Sequence, residues 1–204
     1  MSVRQQRAEP LAPEDRRRAI IQAVLPLLVE HGASVTTKQM AEAAGIAEGT
    51  IFRVFPDKHA LIHEAVRFTV DPAPIQRGLE EIDPDAPIEV QLAEAAQLVL
   101  EKLEGVMTLM AALRTAPALP EGRPMGTPPF VIEANAAINK ALAGLFERHL
   151  DRLRIEPARA AAAFRGLIFA GGHPLLSRTE RLTVEEMVGV LIEGVVLPES
   201  AGPR

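Results

Sequence analysis

Glu48, Gly49, Thr50 and Arg53 stand within six residues of one another, shortly after Gly45. An acidic acceptor, a bare backbone, a hydroxyl with its methyl and a forked cation make a set that can read a nucleic-acid groove. A helix is the right width for the major groove of DNA, and its first residues come nearest the base edges. Glu48 can accept from a cytosine amino group, Thr50 can meet a thymine methyl or a phosphate, and Arg53 can reach guanine or the backbone. Catalytic constellations are poorer. There is no cysteine, so thiolate nucleophiles, thiolate metal sites and disulfides are all excluded. His59 and His63 are four apart, a spacing that can put two imidazoles on one metal, yet the glutamate of a zinc-protease motif is missing and no third ligand is evident. No Gly-rich phosphate loop, nucleophile elbow or nicotinamide fingerprint occurs. The expectation is therefore no catalytic residues, no metal, no cofactor and no enzyme.

These residues need helices to hold them. Apolar Ile20, Ile21, Val24, Leu25, Leu27 and Leu28 recur at helical spacing from Glu14 to a stop at His31-Gly32, with Glu14 and Asp15 at the favoured positive end and Pro26 expected to bend the helix. Thr36-Thr37-Lys38-Gln39 has the capping-box pattern, which opens a short second helix from Thr37 to Ala44. Gly45 ends it, because a positive φ is cheapest for glycine, and Ile46 anchors the turn. A third helix from Glu48 to Val54, a break at Pro56-Asp57-Lys58, and a fourth helix carrying Leu61, Ile62, Ala65 and Val66 complete a helix-turn-helix head.

Beyond residue 71 the prolines and acids of DPAPIQRGLEEIDPDAP read as a linker. A long helix from Ile88 to Thr115, open to a break near Gly105, is followed by a proline-rich loop over 116–129. Further helices fit 130–153, 157–173 and 184–197, with Pro157 at a first helical position and Thr183 to Glu186 repeating the capping box. The fold expected is all-α. Its divisions are a flexible arm (1–13), a helix-turn-helix head (14–66), a larger C-terminal helical domain (67–197) and a tail (198–204).

Composition agrees with a packed protein: 48% of residues are hydrophobic and 24% charged. The net charge of −5 is unevenly spread. Residues 1–67 carry nine Lys/Arg against eight Asp/Glu, and residues 68–204 carry thirteen against nineteen, so the head is the better place for an anion. Arg16-Arg17-Arg18 reads as a solvated helix start that is also able to face phosphates. No apolar run reaches a membrane-spanning length and the first ten residues lack a signal-peptide core, so the expected location is the cytoplasm, with no membrane partner.

The stretch TTKQMAEAAGIAEGTIFRVFPDK, Thr36 to Lys58, resembles the DNA-binding signature of TetR-family regulators over its whole length. Ala41 at a helix crossing, Ala44-Gly45-Ile46 at the turn, Gly49-Thr50, Phe52, Phe55, Pro56 and Lys58 carry the resemblance together. It implies an interface of Thr36, Thr37, Lys38, Glu48, Gly49, Thr50, Phe52, Arg53 and Lys58, in which Thr37 and Lys58 contact phosphates and so position without reading sequence. Two positions depart. The family usually has Ser or Thr where Ala47 stands and Tyr where Phe52 stands, so a helix cap worth ~1 kcal/mol and a phosphate-seeking hydroxyl are both missing.

The resemblance further assigns DNA binding to the head (14–66) and effector binding and dimerisation to the domain over 67–197. It implies a homodimer joined by the last two long helices, double-stranded DNA with a near-palindromic operator, and a small-molecule effector held among the middle helices, whose binding releases a repressor. Interface candidates are Ala160, Ala163, Phe164, Leu167, Ile168 and Gly171 on one helix and Met187, Val190, Leu191 and Gly194 on the other, although the same residues suit an intramolecular core. Pocket candidates are Leu103, Met107, Met110 and Leu113, then Phe130, Asn135, Ile138, Asn139 and Phe146, then Phe164 and His173. With no Trp or Tyr in the chain, an apolar or acyl-like effector is expected. The competing reading is a helical ligand-binding or interaction protein that has lost operator recognition through Ala47 and Phe52.

Overall fold

A computed structural model describes residues 12–114, 128–172 and 181–196, and all its regular structure is helical apart from one isolated antiparallel bridge between Leu153 and Val196. The helices are α1 (Pro13–His31), α2 (Thr37–Ala43), α3 (Glu48–Val54), α4 (Lys58–Val70), α5 (Ala73–Glu81), α6 (Ile88–Arg114), α7 (Pro129–Glu147), α8 (Pro157–Gly172) and α9 (Val184–Val195). Single 3-10 turns lie at Gly32–Ser34 and Leu150–Arg152. Packing divides the chain into two compact units.

The first unit holds the residues up to Phe68 together with the end of α6 from Thr108. Local chemistry sets its helix ends. Pro13 opens α1, and Gly32 at φ 59° closes it, donating its N–H to the Leu28 carbonyl. The Thr36 hydroxyl accepts from the Gln39 N–H at 3.2 Å while the Gln39 amide oxygen accepts from the Thr36 N–H at 2.8 Å, the expected capping box. Gly45 takes φ 65°, a backbone region that would strain any larger residue, and so ends α2. The Asp57 carboxylate accepts from the Ala60 N–H at 2.8 Å and supports the start of α4. Val24, Leu28, Met40, Ile51, Phe55, Leu61, Ala65 and Leu109 fill the interior, each essentially sealed from water. At ~1.5–3 kcal/mol per large side chain, this burial holds the two short helices that could not stand alone.

The second unit runs from Thr69 to Met107 and includes the described residues from Pro128 onward. A helix, α5, stands where the sequence suggested a linker. The physical reason is its placement of prolines: Pro72 and Pro74 lie at the helix start, where a missing N–H costs nothing, and the Asp71 carboxylate accepts from the Ala73 N–H at 3.1 Å. Ile75 and Leu79, one turn apart, then bury one face. Helix α6 passes Gly105 without interruption, and α7 ends at Glu147, earlier than the sequence suggested. Phe146 and Phe164 meet edge to face at 6.0 Å in the centre of the core, alongside Leu92, Leu142, Ile168, Met187 and Leu191. Gly171 lies where an added Cβ would come within 2.7 Å of the Met187 sulfur, which shows how closely α8 and α9 approach.

One polar side chain is fully buried among the described residues, Gln91, and its bonding is complete. Its amide nitrogen donates to the carbonyls of Pro84 at 3.0 Å and Ala86 at 2.7 Å, which ties down the α5–α6 connection. Its oxygen faces His149 Nε2 at 3.4 Å, so the imidazole is the donor of that longer contact. Partial burial pushes the His149 pKa down, helped by the neighbouring Arg152 and Arg148 charges and opposed by Asp151 and Glu89. The Thr183–Glu186 capping box forms at the start of α9, as the sequence suggested.

Candidate nucleic-acid interface and ligand cavity

Helix α3 buries Ile51 and leaves Glu48, Gly49, Phe52 and Arg53 exposed, with Thr50 half-buried. Phe52 is 50% exposed, so about half of its ring lies on the outer face of α3. Around Gly49 a Cβ would meet nothing within 4 Å, so the packing of the chain does not itself require a glycine there. Ala47 occupies the cap position with no side-chain hydrogen bond to the helix.

The other expected interface residues are placed as follows. Thr36 is committed to its capping box, and Lys38 is exposed. The Thr37 hydroxyl donates to the Glu48 carboxylate in a short hydrogen bond, joining the first residue of α2 to the first of α3. Lys58 Nζ donates to the Ala33 carbonyl at 2.6 Å, so its ammonium also ties the start of α4 to the α1–α2 connection. Within the arginine run, Arg17 is turned inward. Its guanidinium lies 4.5 Å over the Phe55 ring, donates to the Val54 carbonyl at 3.0 Å and stands 3.6 Å from Glu64. Arg17 thereby holds the end of α3 against α1, a role the sequence run did not reveal. His63 approaches Glu64 at 3.9 Å, and among the described residues no group of three His, Asp or Glu side chains could hold a metal ion.

In the second unit a cavity of about 430 Å³ lies among the end of α4, α5, α6, α7 and α8. Leu103, Asn135, Ile138 and Asn139, all expected as pocket residues, line it. Phe146 and Phe164 lie in the packed core and not on this wall, their rings meeting edge to face there. Met110 and Leu113 pack with the core of the first unit. Met107 and Phe130 are half-buried and are not among the lining residues, and His173 lies outside the described residues. The wall also contains two cations that sequence reading missed, Lys102 and Arg165. Burial lowers the pKa of both, with the Asp71 charge partly opposing this at Lys102. Lys102 Nζ donates to the Asp71 carbonyl at 2.6 Å. Arg165 donates to the Asn135 carbonyl at 2.9 Å and to its side-chain oxygen at 2.7 Å. A signal was present: Arg165 interrupts an apolar run from Ala160 to Gly172.

The residues expected at a dimer interface separate into two groups. Ala160, Phe164, Ile168, Gly171, Met187 and Leu191 are buried within the chain's own core, and Leu167 is half-buried. Ala163, Val190 and Gly194 are exposed, as are the small residues Ala170 and Gly189, whereas the exposed Ala162, Gly166 and Phe169 of α8 face the cavity. Among the described residues no helix is long and apolar enough to cross a membrane.

Comparison with known proteins adds to this geometry. Residues 20–65 match the family model described as "Bacterial regulatory proteins, tetR family". The nucleoid occlusion factor SlmA of Marinobacter nauticus is 30% identical over 86 residues, which are 42% of this chain and 44% of that protein, so the matched region spans less than half of the curated relative. A protein from Mesorhizobium loti described as a TetR-family transcriptional regulator shares the fold at TM-score 0.66 and 18% identity, over 92% of this chain and 100% of that one. NalD of Pseudomonas aeruginosa, described as the secondary repressor of the MexAB-OprM multidrug efflux pump, is similar at TM-score 0.52 and 25% identity, over 91% of this chain and 98% of that one. With residues 20–65 matching the tetR-family model and the fold shared almost end to end with solved TetR-family regulators, the α1–α4 segment is similar to the DNA-binding region of that family and the chain has its fold.

Proposed function

We propose that this protein is a homodimeric, sequence-specific DNA-binding transcriptional repressor, released from its operator by a small molecule bound in the 430 Å³ cavity. The observation that carries the DNA-binding part is the outer face of α3. Gly49 and Phe52 have no packing role that explains them, while Glu48 and Arg53 stand beside them with base-reading chemistry. A bare backbone at Gly49 allows another surface to come close, and an exposed phenyl suits contact with thymine methyl groups or sugars.

Dimerisation is supported by the exposed small residues of α8 and α9, which let two helix pairs approach closely. Repression is supported by the similarity to NalD. Release is supported by connectivity: α4 starts at Lys58, bonded to Ala33, and ends at Val70, which lines the cavity. A ligand with different affinities for two positions of α4 shifts the population of the DNA-competent state, and only by that difference.

The test is selection of bound sequences from random duplex DNA by the purified full chain at moderate salt. An enriched inverted repeat, with half-sites about one helical turn apart, is the expected result. Salt-sensitive binding without any enriched sequence would overturn the reading and favour a ligand-binding protein without operator recognition.

A further inference from the structure

We propose that the cavity ligand is an amphipathic anion, an apolar body ending in a carboxylate, with the carboxylate received by Arg165, Lys102 and the amide of Asn135. The proposal rests on the cavity being the effector site. Its first support is the distribution of polar groups on the wall. The lining contains two cations and two asparagines, its remaining residues are apolar or glycine, and no acidic side chain is among them. Neither Lys102 nor Arg165 has a carboxylate within 4 Å among the described residues, although both are half-buried. Lys102 feels the Asp71 charge from beyond that distance, whereas Arg165 has burial alone acting on it. A cation held partly out of water without a paired carboxylate is costly, a cost that a ligand bringing the carboxylate lowers.

The second support is hydrogen-bond capacity. An ammonium has three donors, and Lys102 uses one of them on the Asp71 carbonyl. A guanidinium has five, and Arg165 uses Nη1 and Nη2 on Asn135. Because the Asn135 side-chain oxygen accepts from Arg165, its amide nitrogen is left as a donor. Asn139 follows one turn later on the same helix face. The polar part of the wall is thus rich in unused donors and has no ionised acceptor, which is the complement of a group that only accepts. A carboxylate is such a group, and arginine receives it with two parallel hydrogen bonds. The body of the ligand meets Val99, Leu103, Ile138 and Phe169, surfaces that discriminate by apolar area.

The experiment is calorimetric titration of the full-length protein with straight-chain carboxylates from hexanoate to dodecanoate, compared with the alcohol and the trimethylammonium of matching length. DNA release is followed in parallel on the selected operator. At least one carboxylate is expected to bind, with the matching alcohol at least tenfold weaker and the matching cation not binding. Arg165→Gln and Lys102→Met are each expected to weaken carboxylate binding about tenfold, with circular dichroism confirming that each variant remains helical. Equal affinity for alcohol and carboxylate, preference for the cation, or failure of every carboxylate overturns the proposal. So does unchanged carboxylate affinity in both folded variants. A carboxylate that binds without releasing DNA upholds the ligand class and removes the effector reading. An alcohol or cation that binds best and releases DNA does the reverse.

Discussion

The hydroxyl of Thr37 donates to the carboxylate of Glu48, although eleven residues separate them in sequence. Thr37 is the first residue of α2 and Glu48 the first of α3, so the bond crosses the helix-turn-helix at the end that faces outward. A threonine that family resemblance assigns to phosphate contact is, in the free protein, holding the side chain best suited to a cytosine. The bond leaves the carboxylate further lone pairs, so Glu48 can be positioned and still read.

Thr37→Val separates positioning from phosphate contact. It is expected to reduce discrimination at the base pair that Glu48 reads, with Glu48→Ala losing ~1–3 kcal/mol of selectivity there. Competition binding with operators substituted one base pair at a time measures both. If Thr37→Val weakens binding equally on operator and random DNA, the hydroxyl acts on phosphate and Glu48 does not depend on it.

Gly49→Ala should divide stability from binding. A Cβ at Gly49 meets nothing in the chain, and alanine favours a helix over glycine, so the variant should be more stable by ~0.5 kcal/mol in urea unfolding. Operator affinity should nevertheless fall about tenfold, or ~1.4 kcal/mol, because the methyl intrudes where DNA approaches. An unchanged affinity would mean that this backbone is not near the groove.

Lys58 and Arg53 should respond differently to salt and sequence. Lys58→Ala is expected to weaken binding on every DNA and flatten the slope of log affinity against log salt by about one unit. It should also lower stability by ~1 kcal/mol, since the bond to the Ala33 carbonyl goes with it. Arg53→Ala should leave stability nearly unchanged, as the side chain is exposed, and alter base preference instead. Filter binding across salt concentrations, with thermal melts of each variant, checks both halves.

His149 adds a pH dependence to stability. Its folded pKa is lowered, chiefly by burial, so in the window between that value and 6.5 the unfolded chain binds the extra proton. Its contribution is complete above pH 6.5 and is lost as pH falls through the unfolded and then the folded value. Unfolding midpoints of the parent and His149→Asn should therefore converge as pH drops from 7 towards 5. A constant difference across that range would show that the histidine acts through packing alone.

Much of the head was legible in sequence because its signals are local. A capping box is closed by residues three apart and a glycine at positive φ announces a turn, so α1 to α3 and the start of α4 stand within a residue or two of the sequence reading, while α4 runs on to Val70, past the boundary expected at residue 66. The same logic failed at α5, where two prolines suggested a linker. Proline breaks a helix only beyond its first turn, and here Pro72 and Pro74 lie at the start, with Ile75 and Leu79 supplying the buried face.

What the tertiary structure decided lies mostly in the second unit. Helix α8 is apolar or small on nearly every side, so its period does not say which face turns inward, and packing alone sent Ala160, Phe164 and Ile168 to the core, Phe169 to the cavity wall and Ala163 outward. Lys102, Asn135 and Arg165 come from three helices and are bonded within the second unit by contacts spanning about thirty residues of chain. No spacing rule in the sequence can bring such groups together. Local hydrogen-bond closure determined the helices and the reading head, whereas the donor-lined cavity exists only because three apolar helix faces had to share one core.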